Sequence, residues 1–346
     1  MKQSRKLVCV LLCILVGTGM VFARGQRERL VEGPWVPSRP ITLVVPWSPG
    51  GITDQVGRLM ASEFERVLGQ TIVVVNQPGA SGATGTQNVL DAPHDGYTWL
   101  VGGSDQKSMY KLLGMVDMDV RDWHKFFCIE ALAVVGVNAD SPWQTFDQLL
   151  AHFRANPGVV PVGSSGVLSS GAIFGALLRQ YTGITYNEIH YEGSGAVIAA
   201  VVSREVDINF QHVNAQADMI RAGRIRPLAA FFDEDFYLYG FGIIPSIRRY
   251  VPQMGSIGLS NSGVWLPPGT PPDVVETVTN AFRMIVPNNE RIARFAEQHG
   301  LIFLGVPYYG PEGMARAREG YAFANWILYD AGLLRYSPSI LGVPRP

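Results

Sequence analysis

The sequence predicts an α/β protein built on mostly parallel sheet, with enough chain for two lobes. Three observations lead there. Short β-branched runs alternate with amphipathic helical patterns, which is the signature of strands crossing over through helices. The 346 residues exceed the roughly 100–200 of an ordinary domain. A hydrophobic content of 47% against 16% charged residues describes an ordered globular chain. The formal charge of -1 lacks the basic excess that a nucleic-acid binder needs.

At the N-terminus, Lys2, Arg5 and Lys6 precede an apolar run from Leu7 to Phe22, and "VFA" offers a cut after Ala23. Residues 1–23 therefore read as a signal peptide and 24–37 as a polar, proline-containing linker. An uncleaved anchor helix is the alternative, although the run is short for a bilayer span of roughly 20 residues. Lipid modification of Cys13, in "VLLC", is another, although it sits very early. Cleavage leaves 25 basic against 29 acidic residues, about -4. It also leaves Cys128 as the one cysteine, so the mature chain forms no internal disulfide. In "KFFCIEA", Cys128 reads as a small buried hydrophobe rather than a nucleophile.

The expected strands include "ITLVV", "TIVVV", "YTWLVG", "VDINF" and "RPLAAFF". After the first comes a helix with Val56, Leu59, Met60, Phe64, Val67 and Leu68 on one stripe, stopped at Gly69. A second group of units begins near "SPWQTFDQLLAHFRANPG", where Phe146, Leu149, Leu150 and Phe153 form another stripe. A late helix is expected after "PPGTPPD", with Thr270 as its N-cap and Pro271 in its first turn. Residues 233–258 are the least regular, rich in aromatics and glycine.

One device recurs: strand, Gly/Ser-rich corner, helix. It appears in "VVPWSPGGITD", "VVVNQPGASGATG", "VPVGSSGVLSSG" and "IHYEGSGAV", and without glycines in "INFQHVNAQ". In a parallel sheet such corners gather at the carboxyl ends of the strands, where helix N-termini present unpaired amides to an anion. No lysine or arginine lies between Arg39 and Arg58 or between Arg66 and Lys107. Main-chain groups are therefore expected to hold the anion, with Gly50, Gly51, Gly79 and Gly82 supplying close approach and positive φ. Neither Arg39 nor Arg58 is expected to pair with it. Asp54 reads as a helix cap or a brace for the loop before it reads as a base.

Catalytic patterns mostly fail. "GASGATG" lacks the dinucleotide spacing, no phosphate loop or nucleophile elbow occurs, and "SDQK" lacks its companion motifs. The six histidines show no metal-ligand spacing. No catalytic residue, metal or cofactor is expected.

From Val45 to Asp54, Asn76 to Gly82 and Asp95 to Thr98, and on through "GSSGVLSSG", "VDINF", "IRAGRIRPLAA" and "WLPPGTPPDVV", the chain resembles the extracytoplasmic solute receptors of tripartite tricarboxylate transporters, the TctC or Bug family. The resemblance implies a two-lobed, periplasmic-binding-protein-like (type II) fold, each lobe a mixed, mostly parallel sheet flanked by helices. Lobe 1 is expected from 38–135 plus 259–346 and lobe 2 from 136–258. It further implies a periplasmic, monomeric receptor that closes on a small carboxylate and delivers it to membrane permease subunits. By position, Trp47, Ser48, Gly50, Gly51 and Asp54 would contact the ligand from the first corner, and Pro78, Gly79, Ala80 and Gly82 from the second. From lobe 2, Ser164, Ser165, Ser169 and Gln211 would read its far end. Trp47, Ala172, Glu192 and Gln211 depart from the family's usual phenylalanine, histidine, lysine and aspartate. A ligand-sensing co-receptor and an enzyme using the same cleft are the competing functions.

Overall fold

The computed structural model describes residues 33–166, 169–254, 260–330, 332–343 and 345. The expected signal peptide, Cys13 and residues 24–32 of the expected linker lie outside them. The linker's remaining residues are docked onto the fold: the amide and carbonyl of Trp35 both hydrogen-bond the Thr277 hydroxyl at 3.2 Å. The Trp35 ring meets Tyr97 edge to face.

The chain opens with β1 (Ile41–Val45), α1 (Ile52–Leu68), β2 (Ile72–Asn76), α2 (Ala83–Asp91), β3 (Thr98–Gly102), α3 (Ser104–Leu113) and β4 (His124–Ala131). It continues through β5 (Ala133–Asn138), α4 (Phe146–Ala155), β6 (Pro161–Ser164), α5 (Ser170–Thr182), β7 (Asn187–His190), α6 (Ser194–Ser203), β8 (Ile208–His212), α7 (Val213–Arg221), β9 (Ile225–Ala230), β10 (Phe236–Leu238) and β11 (Gly242–Ile244). It ends with β12 (Ser260–Leu266), α8 (Pro272–Ile285), α9 (Glu290–His299), β13 (Ile302–Tyr308) and α10 (Gly310–Asp330).

These strands form two main sheets, ordered β13-β4-β12-β3-β1-β2 and β7-β6-β8-β5-β9. Within the first, β1, β2, β3 and β4 point one way while β12 and β13 are reversed. Within the second, only β5 is reversed. The sheets are thus mixed, with four parallel and five antiparallel pairings between them, and each has a reversed strand inserted in its interior.

The chain changes sheets at Leu132, since Ala133, Val134 and Val135 already pair with His212, Gln211 and Phe210. That lies three residues before the expected division, and no polar residue marks it. The run from Leu132 to Val137 is buried throughout, so its sequence reads as one continuous strand. The irregular stretch near the second crossing forms the β10–β11 hairpin and a 3-10 turn at 247–249. α10 packs on both α3 and α5, and so touches both lobes.

The expected helical stripes are buried. Phe64 meets Trp99 edge to face at 5.3 Å and stacks near Phe282 at 6.2 Å, joining α1, β3 and α8. Gly69 ends α1 in the left-handed region at φ 68°. Cys128 is buried among apolar residues, and burial pushes its thiol pKa up. Thr270 does not cap the late helix. Its hydroxyl donates back to Pro267 O at 2.8 Å, Pro271 occupies the cap position, and the helix begins at Pro272. The four prolines around the turn, Pro267, Pro268, Pro271 and Pro272, make the cap position hard to read from sequence.

Lys125 is a buried base on β4. Its Nζ lies 5.1 Å from the Trp265 ring centroid and 3.0 Å from Met314 Sδ, a weak acceptor. Burial pulls its pKa down to about 7 against the opposing pull of Asp119 and Asp122. Between that value and the unfolded 10.5 the unfolded chain binds the extra proton, so stability rises with pH across this window. Lys125→Met is therefore expected to melt several degrees above wild type at pH 7, with the gap shrinking toward pH 10. Melting curves across that range check it; a gap independent of pH would contradict it.

Candidate functional site

Helices α1, α2 and α3 begin at the carboxyl ends of β1, β2 and β3, and α5, α6 and α7 begin likewise after β6, β7 and β8. Six helix N-termini thus lie along the carboxyl edges of the two sheets. A Cβ added at Gly166, after β6, would lie 3.8 Å from Ser81 Oγ, after β2, so the two edges meet.

In the first corner, Gly50 takes φ 85°, where a side chain is disfavoured. Gly51 differs from expectation: at φ -73°, ψ 170° it is extended backbone and caps α1. A Cβ there would meet Ser48 O at 3.8 Å and otherwise open space. The first intrahelical bond runs from Gln55 N–H to Gly51 O at 3.0 Å, so α1 itself supplies no acceptor for the amides of Gly51, Ile52 and Thr53.

Asp54 braces this corner from below. It is only 4% exposed, and its carboxylate accepts from Gly50 N at 2.9 Å, Arg58 Nε at 3.1 Å and Asn76 Nδ2 at 2.9 Å. Arg58 Nη2 adds an ion pair at 2.9 Å and also reaches Asn76 Oδ1 at 3.1 Å, while Asn76 Nδ2 donates to Trp47 O at 3.0 Å. Burial alone would raise the Asp54 pKa; the bonds from Arg58, Gly50 and Asn76 outweigh it and hold the carboxyl below the usual range. Gly50 N–H is therefore committed to Asp54 and not free for an anion.

The second corner is a run of left-handed residues: Gly79, Ala80, Ser81 and Gly82 have φ of 134°, 47°, 53° and 88°. For Ala80 and Ser81 this conformation costs about 1–2 kcal/mol each. Several bonds hold it. Gly82 N donates to Gly79 O at 2.9 Å, and Tyr110 OH donates to Ser81 O at 2.8 Å. Pro78, Gly79 and Ala80 are exposed, while Gly82 is buried. A Cβ on Gly82 would lie 2.7 Å from the Tyr110 hydroxyl and 3.4 Å from both Pro46 O and the Trp47 ring. Gly82 thus serves close packing beneath the turn. Among the described residues, the amides of Ala80 and Ser81 have no acceptor. Successive amides in such a turn form an anion-binding concavity.

Across the cleft, most polar groups already have partners. Ser164 Oγ hydrogen-bonds His190 Nδ1 at 2.6 Å, and Ser169 caps α5 by accepting from Ala172 N at 3.3 Å. Ser165 Oγ donates to Gln211 Oε1 at 3.2 Å. Gln211 is 3% exposed, and its Nε2 has no partner among the described residues. A Cβ on Gly171 would lie 2.8 Å from that nitrogen, so only glycine leaves it room. A buried donor without an acceptor costs about 1–3 kcal/mol, which a ligand oxygen can relieve.

The carried-over residues therefore divide. Gly51 and Ala80 present main-chain donors, Gln211 presents a side-chain donor, and Ser48 and Pro78 line the exposed rim. Trp47, Asp54, Gly82 and Ser169 are committed to holding the corners. Sequence reading missed Arg58 as a brace, although its i+4 spacing from Asp54 is legible, and missed Asn76 although it stands in the quoted motif. It also missed Tyr110 and His190, whose partners lie 29 and 26 residues away. Lys107 of "SDQK" points back toward the carbonyls of Val101 and Gly103, at 3.5 Å from each. A groove of about 650 Å³ between the C-terminal half of α5 and Asp330 and Leu333 lies at the far end of that helix from Ser169. It is no part of this site.

The profile of the family described as "Tripartite tricarboxylate transporter family receptor" matches residues 56–311. A UPF0065 protein of Bordetella pertussis is 31% identical over 258 residues, 71% of this chain and 76% of its own. Among solved structures, one described as a periplasmic transporter superposes with a TM-score of 0.76 at 26% identity, covering 86% of this chain and 99% of its own. R. palustris Rpa4515 with adipate gives 0.75 at 24% identity, covering 86% and 98%.

Proposed function

Because the chain belongs to the tripartite tricarboxylate transporter receptor family, we propose that it captures a small carboxylate between its lobes, outside the cytoplasm, and passes it to permease subunits of that transporter class. One observation carries the carboxylate reading: two corners, at the carboxyl ends of β1 and β2, offer amides at Gly51, Ala80 and Ser81 that have no acceptor among the described residues, in a stretch without lysine. Such donors suit a carboxylate through direct bonds or bridging waters. The related Rpa4515 structure holds adipate, a molecule of this class. Export by residues 1–23, action as a monomer, and binding without turnover complete the proposal. Its lobes exchange at Leu132 and again before Ser260.

The Gln211 donor sets the far end of the ligand. Its nitrogen calls for an acceptor, such as a second carboxylate or a carbonyl, and the neutral amide gives no counter-charge to an ammonium group. Adipate is expected to bind at least tenfold more tightly than 2-aminoadipate. Gln211→Asp is expected to narrow that ratio. Isothermal titration of both compounds against both proteins checks it; equal or stronger binding of the amino acid by wild type would contradict it.

Native mass spectrometry of the purified protein, followed by denaturation and identification of what is released, tests the function itself. The expected occupant is a small mono- or dicarboxylate. A cation, nucleotide or peptide in its place would overturn the reading, as would the absence of a melting shift across a panel of carboxylates.

A further inference from the structure

The β10–β11 hairpin exposes an apolar surface that the binding cleft does not use. Tyr237, Tyr239, Phe241 and Ile243 are 64%, 52%, 44% and 66% exposed, and Tyr237 sits directly opposite Ile243 in the ladder. On the other face, Leu238 and Ile244 are fully buried. Taking such side chains at roughly 150–250 Å² each, the exposed parts amount to about 350–550 Å². A surface of that size ranks with the largest apolar patch of an ordinary monomer, a patch that is often functional.

The hairpin is fixed from both lobes. Arg221 of α7 donates from Nε to Tyr239 O at 2.8 Å and from Nη2 to Gln298 O of α9 at 2.5 Å. Beneath it, a Cβ on Gly300, which caps α9, would lie 3.0 Å from Leu238 Cδ1. α9 packs in the core of the first sheet and α7 in that of the second. A surface held this way loses little freedom on docking, and its position depends on how the lobes are arranged.

We infer that this hairpin is the docking surface for the extracytoplasmic face of the permease. This rests on the receptor reading above. Size and charge select the occupant. A stable dimer needs about 800 Å² from each partner, so the surface suits a transient protein contact rather than a second copy. The neighbouring charges compensate each other as Arg248–Asp233, Arg249–Asp235 and Arg221–Asp218. Anionic lipid would call for uncompensated basic residues. A neutral, apolar partner surface with acceptors for the tyrosine hydroxyls fits.

Site-specific photocross-linking in cells that carry the protein with its transporter tests this. Tyr237→p-benzoylphenylalanine is expected to give a product with a multi-spanning permease subunit, identified by mass spectrometry, at least tenfold above Val159→p-benzoylphenylalanine. Val159 is a suitable control because it is 68% exposed and lies before β6, away from the cleft. Products with lipid or with a second copy would overturn the proposal, as would equal yields at the two positions or no product. If the purified Tyr237 variant still shows a melting shift with adipate, such a failure falls on the docking surface alone. If wild type shows no shift with any carboxylate, the receptor reading fails with it.

Discussion

Asp54→Ala is expected to lower the melting temperature and to weaken carboxylate binding together, because one buried carboxylate ties Gly50, Arg58 and Asn76. Removing it leaves the Gly50 N–H without its acceptor and takes one acceptor from Arg58 and one from Asn76, which keep Asn76 Oδ1 and Trp47 O respectively. Since the Arg58 side chain is 53% exposed and can recover water, the loss should stay below that of a fully buried pair, at about 2–3 kcal/mol. For a lobe of this size that is a fall of about 5–10 °C. Asp54→Asn, which keeps one acceptor oxygen, should lose less. The pH dependence follows from the lowered pKa. The carboxylate contributes stability above its unfolded value near 3.8, and that contribution is lost as pH falls through the lower folded value. The melting gap between wild type and Asp54→Asn should therefore be full at pH 6 and close in strong acid. A gap unchanged down to pH 2.5 would show that Asp54 is not the brace.

The same network limits what an arginine substitution can report. Arg58 pairs with Asp54, and Arg39 pairs with Asp95 at 2.8 Å and lies over the Tyr97 ring. Arg39→Ala remains a clean control for the claim that no basic side chain grips the anion. Arg58→Ala does not, since it is expected to loosen the corner through Asp54 and so weaken binding indirectly.

Much of the fold was legible because its signals are local. The helical stripe from Val56 to Leu68, the break at Gly69 and the corners after each strand depend on neighbours within a few residues. The sheet change at Leu132 was not legible, because "ALAVVGV" is uniformly apolar and both sides of the crossing are buried. In the site, glycine spacing identified the corners but not which glycine carries which duty. Gly50 takes the positive φ, Gly51 caps a helix in ordinary extended backbone, and Gly82 yields space to Tyr110. Those duties are set by Asp54, Tyr110 and Trp47, whose placement depends on how three strands align. The unpartnered nitrogen of Gln211 was likewise invisible, since it follows from Ser165 engaging the amide oxygen from another strand.

The central claim is that main-chain amides hold the carboxylate, and Gly51→Val probes it with little harm to the fold. Gly51 lies at φ -73° with open space around its Cβ position, so the added side chain should fold without strain while filling the approach to the Gly51 and Ile52 amides. Adipate at a hundred times its dissociation constant should stabilise wild type by about 2.7 kcal/mol, or roughly 5–10 °C. The deciding measurement is a set of melting curves for wild type, Gly51→Val and Arg39→Ala, each with and without adipate. The account predicts unliganded melting temperatures within about 2 °C of wild type, a shift abolished in Gly51→Val and a shift retained in Arg39→Ala. A shift retained in Gly51→Val, or lost only in Arg39→Ala, would show that a charged side chain holds the anion.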